Sequence, residues 1–208
     1  LKGYGYETRA FHPGEQTSWQ RNIAYPRLGF DSFKCGKDMD VPQTEEHGYV
    51  SDDSDFEQII WEFEHKDEST PLFLFNVTIQ NHGSYTVEDY PAEVQLADEP
   101  GVYPKAEQYL TLANKTDEAF KKLIDYFSAQ TEPTILVMFG DHQPSVEQEF
   151  LDKAYGVTQD EMTMAQYMDK FKVPFIIWAN YPLTGDSTKI TSLNFLAQYV
   201  LRNAGIET

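Results

Sequence analysis

Three stretches of this chain carry side chains able to do chemistry together. "MFGDHQPS", residues 138–145, sets a carboxylate and an imidazole side by side at Asp141 and His142, directly after an apolar run that ends at Gly140. A strand's pleat constrains alternate side chains to opposite faces, but a chain leaving the pleat is free of that rule, so both groups can face one cation. Zinc and manganese accept such mixed oxygen and nitrogen ligation. The plainer reading is a helix N-cap aspartate beside a surface histidine. His82, in "TIQNHGSY", follows a second apolar run and would emerge at the same sheet edge if the two strands are parallel neighbours; alone, it reads equally as a solvated turn residue. The third stretch, "AFHPGEQTSWQRNIAYPRLGFDSF" (10–33), offers the imidazole of His12, the indole donor of Trp19 and the guanidinium fork of Arg21, the last suited to phosphate or sulfate. Here the alternatives are a core Trp19 and an Arg21 paired with one of the many acids.

Other groups point elsewhere. Asp52, Asp53 and Asp55 lack the glycine and terminal glutamate of a calcium loop and read as a charged helix start. Thr78, Ser84 and Ser145 lie near strand ends, but none sits in a nucleophile elbow or beside an evident base. Cys35 is the one cysteine, which excludes an intramolecular disulfide and a cysteine zinc cluster and leaves a small, partly buried hydrophobe.

The elements that must position these groups follow from periodicity. Apolar runs at 72–79, 134–139 and 173–179 have the length and bracketing of buried strands. Helical spacing marks 52–65 (Phe56, Ile59, Ile60, Phe63), 103–130, and 192–204 closed by Gly205. Alternating strands and helices predict βαβ units: an α/β fold with a mainly parallel sheet flanked by helices. Ligands bind such sheets outside the carboxyl ends of the strands, where Asp141, His142 and His82 fall. The first fifty residues, rich in Tyr, Gly, Pro and polar residues, read as loops and short elements over one edge, and 80–101 as a long irregular connection.

Bulk properties narrow the partners. The 208 residues suffice for one domain with a proper core. Formal net charge is −18, much of the excess acid lying between Asp38 and Glu68, which argues against a nucleic acid partner while leaving room for a small anion in a local cationic pocket. No apolar stretch is long enough to span a membrane, so the polypeptide reads as soluble. It begins at Leu1 in what reads as folded sequence, suggesting a processed product or an excised piece.

These stretches, together with "VPFIIWANYP" and "TSLNFLAQYVLRNAGI", resemble the extracellular catalytic domain of lipoteichoic acid synthases and related phosphoglycerol transferases, in the alkaline phosphatase and sulfatase superfamily. The resemblance covers nearly the whole chain. It implies an alkaline phosphatase/sulfatase-like fold present as an incomplete domain, with residues 1–208 as the C-terminal portion. It also implies that Asp141 and His142 ligate a catalytic divalent metal, manganese or magnesium, and that His12, Trp19, Arg21 and His82 line the phosphoglycerol pocket. In that family a metal-activated threonine attacks phosphatidylglycerol, and the glycerophosphate then passes to a glycolipid or polyglycerophosphate acceptor at the extracellular face of the membrane.

Two departures qualify the match. Gly14, with Glu15 alongside, stands in the apparent place of a family acid, and the family's threonine nucleophile and glutamate ligand lie upstream of Leu1. The chain alone is therefore expected to be inert, to bind metal weakly, and to be prone to self-association through a bare sheet edge. The alternatives are a sulfatase or phosphoethanolamine transferase of the same superfamily, separated by the upstream nucleophile, and a noncatalytic anion-binding envelope module.

Overall fold

Thr8, Arg9 and Ala10 lie in the central strand of a parallel sheet, and what surrounds them explains how so polar a segment can be buried. In the computed structural model, which describes residues 1–88, 90–184 and 190–206, strand β1 (Glu7–His12) is followed by helix α1 (Arg21–Leu28) and strand β2 (Ser32–Cys35). A short hairpin follows, β3 (Glu45–Glu46) with β4 (Tyr49–Val50), then helix α2 (Asp52–Glu64), strand β5 (Leu72–Asn76) and helix α3 (Pro104–Ser128). The sheet order is β2-β1-β5, all parallel. Residues 1–123 with 145–150 form one unit, and residues 124–144 with 151–206 a second.

Register assigns the two faces of the first sheet. Ala10 pairs with Phe33 and Phe75, and on that face Tyr25 of α1 packs against Phe33 (ring centroids 4.8 Å) and Phe75 (6.2 Å). Thr8 on the same side is satisfied by Asp31, which accepts from its backbone N–H at 2.9 Å and its hydroxyl at 2.8 Å. On the other face Phe11 pairs with Lys34 and Asn76, and α2 supplies charge. Glu62, itself 2% exposed, accepts from Arg9 at 2.5 Å and Lys34 at 2.7 Å. Glu7 holds the rest of the Arg9 guanidinium at 2.8 and 2.9 Å. This part of the sequence reads as loops and short elements over one edge because the strands' polarity is compensated by residues distant in sequence; β1, at the centre of the parallel sheet, and β2 beside it correct that expectation.

Helix α2 begins at the expected place, capped by Ser51, whose Oγ accepts from Ser54 N–H at 3.2 Å. Its buried face differs from the expected one: Asp52, Asp55, Phe56, Gln58 and Glu62 point inward, while Ile59, Ile60 and Phe63 are half-buried. Asp52 and Asp55 are thus not a solvated charged start. Phe56 meets Phe120 of α3 edge-on at 6.2 Å, and Ala106, Leu112, Ala119 and Leu123 complete the core of this unit.

The second unit contains strand β6 (Ile135–Phe139), helix α4 (Gln148–Tyr155, part of which belongs to the first unit), helix α5 (Met164–Asp169), strand β7 (Phe175–Ala179) and helix α6 (Leu193–Asn203). β6 and β7 pair antiparallel, Ile135 opposite Ala179 and Phe139 opposite Phe175. The apolar runs are the expected strands, but this connection brings the chain back alongside β6 in the opposite sense instead of crossing over. The architecture is therefore mixed α/β, with a helix-flanked parallel sheet and an antiparallel pair. Asn180 stitches the ladder's end, accepting from Thr134 N–H at 2.8 Å and donating to the carbonyls of Gln130 (3.1 Å) and Glu132 (2.9 Å). Gly205 takes φ +72° just beyond α6, the left-handed conformation that ends a helix without a Cβ clash.

Candidate functional site

His12 is the last residue of β1, buried at the carboxyl end of the parallel sheet. Val77, just beyond β5, donates its N–H to Phe11 O at 3.1 Å, and its carbonyl lies 2.7 Å from His12 Nδ1. A carbonyl only accepts, so Nδ1 carries the proton and the neutral ring keeps its lone pair on Nε2. Burial holds the ring's pKa below the ordinary histidine value; the bond to Val77 opposes this, and the charges of Arg21 and His82 reinforce it. The fold thus brings His12, Arg21 and His82 into one electrostatic neighbourhood. Glycine is required beside this ring: a Cβ on Gly14 would lie 2.6 Å from His12 Nε2 and 3.0 Å from Ile79 Cδ1. At Gly14, the apparent place of the acid in the resembled motif, the histidine edge leaves no room for a side chain.

His82 reaches solvent from a loop pinned at its base. Gln80, fully buried, accepts from Asp52 N–H at 2.9 Å and donates to Leu112 O and Thr116 Oγ1, both at 3.1 Å. Asn81 donates to the same Thr116 hydroxyl at 2.8 Å, and Thr116 donates to Asp52 Oδ2 at 2.6 Å. The His82 ring lies with Nδ1 2.6 Å from Gly83 O and 3.3 Å from Tyr49 Oη, which directs Nε2 outward. Tyr49, edge-on to His82 at 5.6 Å, is a neighbour that sequence reasoning missed, because nothing in its spacing links it to residue 82.

Trp19 is not core. It is 85% exposed, and both it (φ +57°) and Gln20 (φ +52°) adopt left-handed backbone without being glycine. That conformation costs about 1–2 kcal/mol per residue, and such outliers concentrate where a fold must aim a side chain. Arg21 then opens α1, its guanidinium donating only to Ser18 O (3.3 Å) among the described residues. It is not consumed by one of the chain's many carboxylates.

In the second unit the turn after β6 carries Asp141 and His142. Gly140 donates to Pro174 O at 3.1 Å, and a Cβ there would press on Val173 Cβ at 3.2 Å, so the absent side chain lets β7's lead-in approach closely. Gln143 donates to Lys172 O, tying down the other side of the turn. Asp141 caps no helix, since α4 begins only at Gln148; its Oδ1 accepts from His142 N–H at 2.8 Å. His142 Nδ1 lies 2.9 Å from Gln143 O, and its Nε2 sits 3.5 Å from Asp141 Oδ2. Both side chains are exposed.

A metal-binding reading can be tested against these atoms. Two donors on one cation with bonds of about 2.1 Å at a tetrahedral angle are separated by about 3.4 Å, which the Oδ2 to Nε2 distance matches. Anchoring Nδ1 on a carbonyl is also how ligating imidazoles are usually oriented. Asp141 and His142 fit as two members of a ligand set. Among the described residues no group of three or more His, Cys, Asp and Glu side chains forms a complete one.

Residues 1–206 match the sulfatase family model. The chain belongs to the sulfatase family. Among its relatives is a protein of Rhizobium meliloti (strain 1021) named for cyclic beta-1,2-glucan modification, 30% identical over 218 residues, which span all of this chain and 33% of that protein. A lipoteichoic acid synthase-like protein of Bacillus subtilis (strain 168), YvgJ, is 28% identical over 85% of this chain and 28% of its own length. In fold, this sulfatase-family chain is similar to the Streptococcus pyogenes phosphoglycerol transferase GacH, solved in complex with sn-glycerol-1-phosphate, with a TM-score of 0.77 and 20% identity over 98% of this chain and 51% of that one. The relatives and structural neighbours include the lipoteichoic acid synthases and phosphoglycerol transferases that the motifs implied. The chain spans between a quarter and a third of the length of the curated relatives it matches. No helix among the described residues is long and apolar enough to cross a membrane.

Proposed function

We propose that this chain is the C-terminal portion of the catalytic domain of a metal-dependent phosphoglycerol transferase, which moves glycerophosphate from a phosphatidylglycerol-type lipid to a cell-envelope acceptor at the extracellular face of the membrane. Asp141 and His142 hold the divalent cation, manganese or magnesium. When bound, that cation lowers the pKa of a hydroxyl nucleophile and offsets charge on the phosphoryl oxygens. Arg21 binds the phosphate through its unspent guanidinium. His12, neutral and with Nδ1–H committed to Val77, accepts from a glycerol hydroxyl through Nε2; His82 presents its own Nε2 to the group, and Trp19 covers it. The attacking hydroxyl is assigned to a residue other than these, and on this reading the chain alone carries out no transfer.

The observation that carries this reading is the carboxylate and imidazole held 3.5 Å apart on the turn after β6, in a chain of the sulfatase family. The glucan-modifying name of a relative matched along the whole chain supports a glycan hydroxyl as acceptor, beside the glycolipid and polyglycerophosphate acceptors. Manganese titration followed by the His142 ring resonances tests the metal assignment. Selective broadening of His142 at weak, millimolar-range affinity, lost in Asp141→Ala, is the expected result. Broadening that ignores Asp141→Ala, or tight stoichiometric binding, contradicts it.

A further inference from the structure

Between Gln16 and Phe30 the chain contains two arginines and no acid, in a protein of net charge −18. This window is the turn and helix that present Trp19. Tyr25 anchors α1 in an aromatic nest of Phe30, Phe33 and Phe75, and the opposite face is left to solvent. There Trp19 is 85% and Ile23 43% exposed, and Leu28, on the flank of the helix one turn beyond Tyr25, is 73% exposed. An open hollow of about 390 Å³ lies between Trp19, Gln20, Ile23, Ala24 and Arg27. Neither Arg21 nor Arg27 forms an ion pair among the described residues.

We propose that this exposed side of α1, Trp19, Ile23 and Arg27 with Leu28 at its flank, docks on the surface of an anionic phospholipid bilayer. Its composition fits that occupant better than a protein partner: an indole and two aliphatic side chains to enter the headgroup boundary, flanked by guanidinium groups whose stems lie along apolar surface while their heads meet lipid phosphates. Charge complementarity is local. At physiological ionic strength the Debye length is about 8 Å, so the acids between Asp38 and Glu68 do not cancel an arginine pressed against the headgroups. The left-handed turn at Trp19 and Gln20 serves the same end, since it projects the indole away from the protein. The docking deepens the functional reading above, because the bilayer would be the one containing the lipid donor, and it places α1 beside the group that Arg21 is proposed to bind.

Co-sedimentation of the full chain with vesicles tests this. Mixed phosphatidylglycerol and phosphatidylcholine vesicles should bind about tenfold better than pure phosphatidylcholine, with affinity falling as salt rises. Arg27→Glu should lower that binding about tenfold or more, and the double variant Ile23→Ser/Leu28→Ser should abolish it, with circular dichroism unchanged in both. Equal partition onto both vesicles, no partition, or partition indifferent to both variants would overturn the proposal. So would a dimer in light scattering that the double variant dissolves without any vesicle binding, which would assign the face to a second copy. Soluble glycerol 1-phosphate separates the two readings. If the α1 variants still bind it while losing vesicles, both stand; if the wild type binds vesicles but not glycerol 1-phosphate, the docking survives and the transferase reading fails.

Discussion

Replacing Asp52 by asparagine should stabilise the first unit by an amount that grows as pH rises through about 4 to 6 and is complete above that. Asp52 is fully buried at the start of α2, and burial pushes its carboxyl up to about 6 against the hydrogen bonds from Thr116 and from the loop at Gln80. The shift of about 2 units corresponds to about 3 kcal/mol. A carboxyl with a raised folded-state pKa contributes stability that is fully present below its unfolded value and lost as pH rises through the folded one. The wild type should therefore lose this amount between about pH 4 and about pH 6. Asparagine keeps the acceptor for Thr116 Oγ1 and removes the charge. It forfeits at most about 1 kcal/mol of favourable interaction with the helix N-terminus.

The expected net gain is about 2 kcal/mol at pH 8, vanishing at pH 4, read from urea unfolding at both values. Asp55, buried beside it, reinforces the direction: its carboxyl is held well above the usual carboxylate range by burial and by the Asp52 charge. Among the described residues both its oxygens and Asn76 Oδ1 are buried with no partner at good hydrogen-bond geometry, a deficit that a proton on Asp55 shared with Asn76 relieves. A pH profile parallel to the wild type's, or an Asp52→Asn chain less stable at pH 8, would refute the reasoning and show that the ionised pair is needed in the fold.

Two further outcomes follow from the site. Gly14→Ala should drive the His12 ring off the Val77 carbonyl, because its Cβ would meet Nε2 at 2.6 Å; nitrogen shifts of His12 should report loss of the single tautomer, and stability should fall by about 1–3 kcal/mol. The isolated chain, given manganese and a phosphatidylglycerol analogue, should show no turnover; robust turnover would place the nucleophile within its 208 residues.

Much of this fold was legible because its signals are local. The runs that became β5, β6 and β7 are continuous and apolar, and the helical spacing behind α2, α3 and α6 survives without knowledge of partners. β1 and β2 were not legible, since Thr8, Arg9 and Lys34 are polar residues made burial-compatible by Asp31, Glu7 and Glu62, and no local pattern encodes that compensation. The same limit hid the inward turn of Asp52 and Asp55, whose spacing suits a solvated first turn as well as a buried network. The turn that carries Asp141 and His142 was legible from a glycine that ends an apolar run. The outward Trp19 was not, because it depends on left-handed backbone at two residues that rarely adopt it. The antiparallel sense of β7 was likewise unreadable, since helices between strands normally signal a crossover.

The central claim is that this chain carries the phosphoglycerol-binding face of a transferase, and binding of sn-glycerol 1-phosphate to it is the most direct measurement. Nuclear magnetic resonance titration should shift the signals of His12, Trp19, Arg21 and His82, with affinity lowered about tenfold or more in Arg21→Ala, in keeping with the loss of a charge-assisted pair. Shifts confined to other residues, or an Arg21→Ala chain that binds as well as the wild type, would contradict the account.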